Sequence, residues 1–384
     1  MRWPQPYEHC LNRLVRPVHI VRHRTRRAGR NRNPSPARDR ECSGSTSVIA
    51  SEPAMSTGLA IGVDIGGTKV SAGIVAEDGS VLDRERRATP GTDAALTEAV
   101  IVEVVQALAV RHEVVAVGIG AAGWIANDHA TVLFSPHLAW RNEPLREALA
   151  GRIDLPVTVE NDANAAAWAE YRFGVARDQP VAVCVTLGTG IGGGLVVNGS
   201  LYRGAYGIAC EYGHMTLVPD GRLCACGNRG CWEMYASGRA LAKDGRELAA
   251  ESPVAAARLL AIAGSAAAID GPVVTAAAAE GDPAAISICT TMGRALGRGL
   301  ANLAAVIDPS MFVIGGGVSV AGELLIRPAR EEFAHTLTGR GFRTVAAIEV
   351  AGLGPDAGLI GAADLARRAN GAGYAGADPA TADL

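Results

Sequence analysis

An apolar run, a short turn containing glycine and threonine, and a second apolar run occur twice in this chain, near residue 64 and again near residue 188. The first copy joins residues 59–64 and 70–75 through Ile65-Gly66-Gly67-Thr68-Lys69. The second joins residues 181–187 and 195–197 through a glycine turn at 188–194. Short apolar runs bounded by glycine read as buried strands, so each copy predicts strand, turn, strand. The recurrence hints at two related halves. Further strands are expected at 80–87, 114–120, 157–160, 311–314 and 347–350. Helices are expected at 93–110 with Asp93 as cap, and at 143–150, 163–173, 240–263, 283–306 and 355–368. Residues 200–232 read as a long polar loop. The alternation predicts an α/β protein, and 384 residues suffice for two cores.

Charge divides the chain unevenly. Residues 1–54 hold eleven Arg, no Lys and four acids, a net +7; the whole chain is −3, so residues 55–384 carry −10. An acidic body argues against a nucleic-acid partner. The basic segment is rich in Pro, Ser and Asn, lacks a helical or strand period, and reads as a disordered tail. Its alternative is that translation starts at Met55, four residues before the first strand. Residues 371–384 read as a frayed end. No apolar run approaches the roughly 20 residues of a bilayer-spanning helix. Of eight Cys, Cys224, Cys226 and Cys231 cluster and the rest are scattered. Scattered thiols without an export signal suggest a reducing compartment, and cytoplasmic localisation is expected.

Three glycine turns, each at a strand end, can bring backbone N–H groups to phosphates: Gly66-Gly67-Thr68-Lys69, Gly188-Thr189-Gly190 and Gly315-Gly316-Gly317. Each alone is better explained by a tight hairpin than by a ligand site; three together shift the balance toward a nucleotide. None is a GxxxxGK[ST] loop. Asp64 ends the first strand and can serve Mg²⁺, which takes few carboxylates and several waters. Asn161-Asp162 ends a strand and opens a helix. One of the two is expected to cap that helix, and a carboxylate there can also act as a general base. His214, Cys224, Cys226 and Cys231 offer one imidazole and three thiolates, the donor set of a closed tetrahedral Zn²⁺ site; buried thiols or a redox pair are the bland alternatives. Glu211 and Glu233 flank this cluster as solvated acids or as readers of sugar hydroxyls.

Together these segments resemble the ROK family (repressors, open reading frames and sugar kinases). The resemblance runs from about Leu59 to Arg368 and rests on several elements in the family's order. These are Asp64-Ile65-Gly66-Gly67-Thr68-Lys69, Glu160-Asn161-Asp162-Ala163-Asn164, 187–194, Glu211-Tyr212-Gly213-His214, the run from Cys224 to Glu233, and Ile314-Gly315-Gly316-Gly317. Residues 134–142 and 165–174 look like actinobacterial glucokinases.

The resemblance implies an actin-like (ribonuclease H-like) two-domain sugar kinase fold with a structural zinc loop at 210–233. An N-terminal domain is expected at 57–165 and a C-terminal one at 166–370, with the last helix packing back on the first. It implies ATP as donor, glucose as acceptor and Asp162 as catalytic base. Asn161, Asp162, Glu211, His214, Glu233 and Gly123 would bind sugar. Asp64, Gly66, Gly67, Thr68, Lys69, Gly188, Thr189, Gly190, Gly315, Gly316 and Gly317 would hold Mg²⁺ and nucleotide; His214, Cys224, Cys226 and Cys231 would hold zinc. A homo-oligomer, dimer or tetramer, is expected. Alternatives are kinases for fructose, mannose or N-acetylhexosamines, and a sugar sensor without catalysis. One departure stands out: Cys210 occupies a position where the family mostly has Gly or Ala. A positive φ there would cost a side chain on the order of 1–2 kcal/mol.

Overall fold

A computed structural model describes residues 57–371. Residues 1–56, which include the basic segment and Met55, and residues 372–384 lie outside the described residues. The first half contributes β1 (Leu59–Ile65), β2 (Lys69–Val75), β3 (Val81–Ala88), α1 (Ala94–Ala109) and β4 (Val114–Ala121). A small sheet of β5 (Trp124–Ile125), β6 (Val132–Phe134) and β7 (Arg141–Glu143) follows, then α2 (Leu145–Leu149), β8 (Val157–Asn161) and α3 (Asp162–Phe173). The second half contributes β9 (Val181–Leu187), β10 (Ile191–Val197) and β11 (Ser200–Leu201), then the helices α4 (Gly238–Glu251), α5 (Ala257–Ala263), α6 (Gly271–Ala279) and α7 (Pro283–Ile307). It ends with β12 (Met311–Gly315), α8 (Glu323–Thr336), β13 (Ala347–Val350) and α9 (Ala357–Gly371).

The two large sheets share one topology. Their orders are β3-β2-β1-β4-β8 and β11-β10-β9-β12-β13, with the first three strands antiparallel and the last two joined in parallel. The repeated sequence pattern is thus a duplicated fold. β1 and β9 are buried along nearly their whole length, as strands covered on both faces must be. β3 alternates strictly because one face is open to water. One core lies under the first sheet with α1 and α2; the other joins the second sheet to α6, α7 and α8.

The halves exchange their last helices. α3 follows β8 of the first sheet yet packs on β9 and β10, while α9 follows β13 of the second sheet and packs on β1 and β4. α3 also runs through the expected boundary at 165/166. Glycines permit this close approach. A Cβ on Gly62 or Gly118 would overlap the carbonyl oxygens of Leu359 and Ala362 in α9, and one on Gly361 would overlap that of Ala165 in α3. Buried polar bonds then tie the crossing pair. Asp364 accepts from Trp168 Nε1 at 2.9 Å and from Arg367 Nη1 at 3.0 Å, and Glu170 accepts from the backbone of Val175, Gly352 and Leu353.

Several expectations need correction. Gly192, Gly193 and Gly194 are not turn residues; β10 begins at Ile191. A side chain at Gly193 would strike Tyr212, and one at Gly194 would strike Ala167 of α3, so these glycines make room for other elements. The helix expected at 240–263 is two, because Ser252-Pro253 ends α4: proline offers no N–H to continue it. The helix at 143–150 shrinks to Leu145–Leu149 behind β7. The small sheet and α6 were not anticipated. Among the described residues no helix is long and apolar enough to cross a membrane.

Candidate active site

The first glycine turn closes the β1–β2 hairpin through Gly66 N to Lys69 O at 3.0 Å and leaves Gly67, Thr68 and Lys69 exposed. The second closes β9–β10 through Gly188 N to Gly190 O at 3.0 Å. The third lies against the second: Gly316 has φ +84, and a Cβ there would fall 2.6 Å from Leu187 N. Two of the three turns therefore form one ledge in the second half, and the first stands alone in the other.

Asn161 is the helix cap. Its Oδ1 accepts from Asn164 N at 2.9 Å, while Nδ2 donates to Gly123 O at 2.9 Å and to Asp162 Oδ1 at 3.2 Å. Asp162 is the first residue of α3, where the unpaired N–H groups and the helix dipole favour a carboxylate. Ala163 N donates to its Oδ1 at 2.9 Å. Burial nonetheless lifts its pKa above the usual carboxylate range, against the backbone bonds and the charge of His137. Asp64 is pushed up to about 7, first by burial, then by the charge of Asp162, with Lys69 opposing. Its carboxylate also sits at the start of α9, where a Cβ on Gly358 would lie 3.2 Å from its Cγ. Asp64, which feels the charge of Asp162, is a carboxylate suited to a divalent cation.

The polar loop brings the remaining groups to the same place. Burial raises the pKa of Glu211, with the charge of His214 opposing and those of Asp162 and Glu233 adding to it. The imidazole of His214 faces two ways, with Nε2 3.9 Å from Glu211 Oε2 and Nδ1 3.7 Å from Cys224 Sγ. The donor atoms of His214, Cys224, Cys226 and Cys231 all lie within 4.8 Å of one another, with Cys226 Sγ 3.6 Å from Cys231 Sγ. Metal–sulfur bonds of about 2.3 Å at tetrahedral angles put sulfurs about 3.8 Å apart, so the cluster fits zinc. Gly227 and Gly230, at φ +92 and +80, wrap the chain around it. The Cys224 thiol donates to Glu233 Oε1 at 3.1 Å, and a Cβ on Gly190 would overlap Glu233 Oε2. Glu233 thus links the metal loop to the second turn.

A model of the ROK family matches residues 60–369. The chain belongs to the ROK family. A glucokinase of Streptomyces coelicolor is 49% identical over 311 residues, covering 81% of this chain and 98% of that one. A ROK glucokinase from Streptomyces griseus, solved in complex with glucose and AMPPNP, superposes with a TM-score of 0.76 at 50% identity, over 81% of this chain and 100% of that one. An N-acetylmannosamine kinase of Citrobacter koseri is 36% identical over 316 residues, 80% of this chain and 98% of that one.

In this ROK protein, Asp162 lies within electrostatic reach of Asp64 and Glu211, Glu211 within reach of His214 and Glu233, and Glu233 adjoins Gly190. Gly123, at φ +156, supplies the carbonyl that holds Asn161. Cys210 has φ +71, the strained geometry anticipated for it. Its thiol accepts from Tyr212 Oη at 3.3 Å and is not among the four clustered donors. The sequence assigned no role to His137, Glu160 or Arg203, although Glu160 opens the 160–164 motif and His137 lies in the 134–142 segment. His137 lies on the first turn, 3.1 Å from where a Cβ on Gly67 would be. Glu160 is a buried acid bonded to Arg203. An acid ending an apolar strand was the available signal for Glu160; His137 and Arg203 gave none.

Proposed function

We propose that this protein is an ATP-dependent glucokinase that phosphorylates the 6-hydroxyl of glucose. The observation that carries the reading is the setting of Asp162. A carboxylate of raised pKa stands at a helix N-terminus, amid the polar groups of Asn161, Glu211, His214 and Glu233, on a chain half identical to a glucokinase that binds glucose and AMPPNP.

Phosphoryl transfer needs positioning and charge stabilisation more than covalent help. Asn161, Glu211, His214 and Glu233 orient the sugar through its hydroxyls. Asp162 accepts the proton of the 6-hydroxyl as that oxygen attacks the γ-phosphorus. The exposed N–H groups of Gly67 and Thr68, with Lys69, face one side of the phosphates; Gly188-Thr189-Gly190 and Gly315-Gly316-Gly317 hold the nucleotide from the other. Asp64 would hold Mg²⁺, which supplies neutralising charge between the phosphates. His214, Cys224, Cys226 and Cys231 would hold Zn²⁺, whose part is structural: it fixes His214 and thereby the sugar loop. The same reading includes cytoplasmic localisation and a homo-oligomer; light scattering tests the latter.

ADP release from Mg·ATP across a panel of hexoses tests the function. Glucose should give the fastest release, and Asp162→Asn should abolish it. Faster turnover of N-acetylmannosamine, fructose or mannose would reassign the substrate, and no turnover by folded, metal-loaded protein would leave a sugar sensor.

A further inference from the structure

After β11 the chain leaves the second lobe, touches the first, and returns as Cys210 and Glu211. Asn127 Nδ2 donates to Ala205 O at 2.6 Å. Gly207, at φ +83, presses on the β5–β6 connection so closely that a Cβ would fall 3.1 Å from Asn127 N. The strap closes on itself through Ala209 N to Arg203 O at 3.1 Å. Its one charged anchor is Arg203, whose Nε donates to Glu160 Oε2 at 2.7 Å. Glu160 sits at the end of β8, 3% exposed, directly before Asn161. Its other oxygen, Oε1, accepts from Asn161 N and Asn164 Nδ2, both at 3.0 Å. His129 Nδ1 stands 3.7 Å from Oε2. One buried carboxylate therefore divides its oxygens between two tasks. Oε1 fixes the turn that carries Asp162; Oε2 fixes the strap that delivers Glu211 and His214.

We infer that Glu160 and Arg203 form a positioning pair for the sugar, holding the base turn of one lobe and the sugar-reading loop of the other in a single register. The inference rests on the glucokinase reading above. Neither residue reaches the reacting atoms. A sugar must meet Asp162 and Glu211 at once, so the spacing between those two groups sets its affinity. A charge pair whose carboxylate is buried holds that spacing firmly, because parting it leaves the Glu160 charge out of water without its cation.

Glu160→Gln separates the two tasks. It keeps an acceptor for Asn161 and Asn164 but turns amide hydrogens toward the Arg203 guanidinium. The glucose KM should rise roughly tenfold, equivalent to about 1.4 kcal/mol. The Mg·ATP KM should stay within about twofold and kcat within about threefold, because uniform sugar binding is what is lost. Metal content should not change. Arg203→Met should act alike, and the double variant should be no worse than the worse single one, the mark of coupled partners. Arg203→Lys, which retains one donor, should recover part of the loss and serves if Glu160→Gln does not fold. An unchanged glucose KM, or glucose and ATP constants that worsen together with kcat, would overturn the inference. Calorimetric glucose binding reads the same shift without turnover. A wild-type chain that binds glucose but releases no ADP would therefore sink the kinase reading and leave this test standing.

Discussion

β1 and β9 occupy the same place in their sheets, have the same length and show the same burial pattern, yet they end differently. The penultimate residue is Asp64 in one and Thr186 in the other. The first half ends its strand on an ionisable carboxyl where the second ends on a neutral hydroxyl. The two also make room for their borrowed helix differently. The first sheet uses Gly62 and Gly118, while the second keeps Cys184 in the equivalent strand position and thins β10 at Gly192 and Gly194, against Ala163 and Ala167 of α3. Insertions diverge as well: β3 leads straight into α1, whereas the metal loop and α4–α6 separate β11 from α7. Duplicated topology fixes where a strand ends, and the residue placed there decides what the end can do.

Asp64→Asn makes the first strand end neutral like the second. It should lower kcat on the order of a hundredfold or more, as loss of a key electrostatic group does. The same change should raise the melting temperature of ligand-free protein at pH 8. A carboxylate with a folded pKa of about 7 and an ordinary unfolded one costs stability as pH rises through that interval, with the full cost above 7. Below pH 4 the gain should vanish, and Thr186→Ala should show no such pH dependence. Equal pH profiles for the two variants would break the comparison.

The second half's long insertion carries the donor cluster of His214, Cys224, Cys226 and Cys231. Cys231→Ser, at a fully buried donor, should empty the cluster, raise the glucose KM and lower the melting temperature by about 5 °C or more. Metal analysis alongside glucose titration checks this, and full metal occupancy with unchanged KM would argue against it. Gly62→Ala should cost about 1–3 kcal/mol by forcing α9 off its strand, as overpacking does. Cys184→Ala, its counterpart, should cost less; denaturant unfolding compares them. The smallest effect belongs to Cys210→Gly. Relief of the φ +71 strain should add up to about 1 kcal/mol, partly offset by the lost bond from Tyr212. A fall in glucose KM would show that the strain reaches the sugar loop.

What the sequence revealed, and what it hid, follows the range of the interactions. The turn at Gly66-Gly67, the cap at Asn161 and the cluster from His214 to Cys231 are written in neighbouring residues. The role of Gly192-Gly193-Gly194 is not, since the groups they accommodate, Tyr212 and Ala167, come from other elements. β5–β7 were too short to show a period, and the Glu160–Arg203 bond joins positions brought together only by folding.

The exchanged helices also govern how the chain can be made. β1 and β4 receive one cover from α9, which comes last in chain order among the described elements. β8, the final strand of that sheet, is complete roughly 200 residues earlier, a delay on the order of 10–40 s at typical rates of synthesis. Throughout that interval Gly62, Gly118 and the apolar residues around them face no partner. A nascent chain stalled before Ala357 would present an uncovered sheet, a substrate for chaperones and a starting point for aggregation.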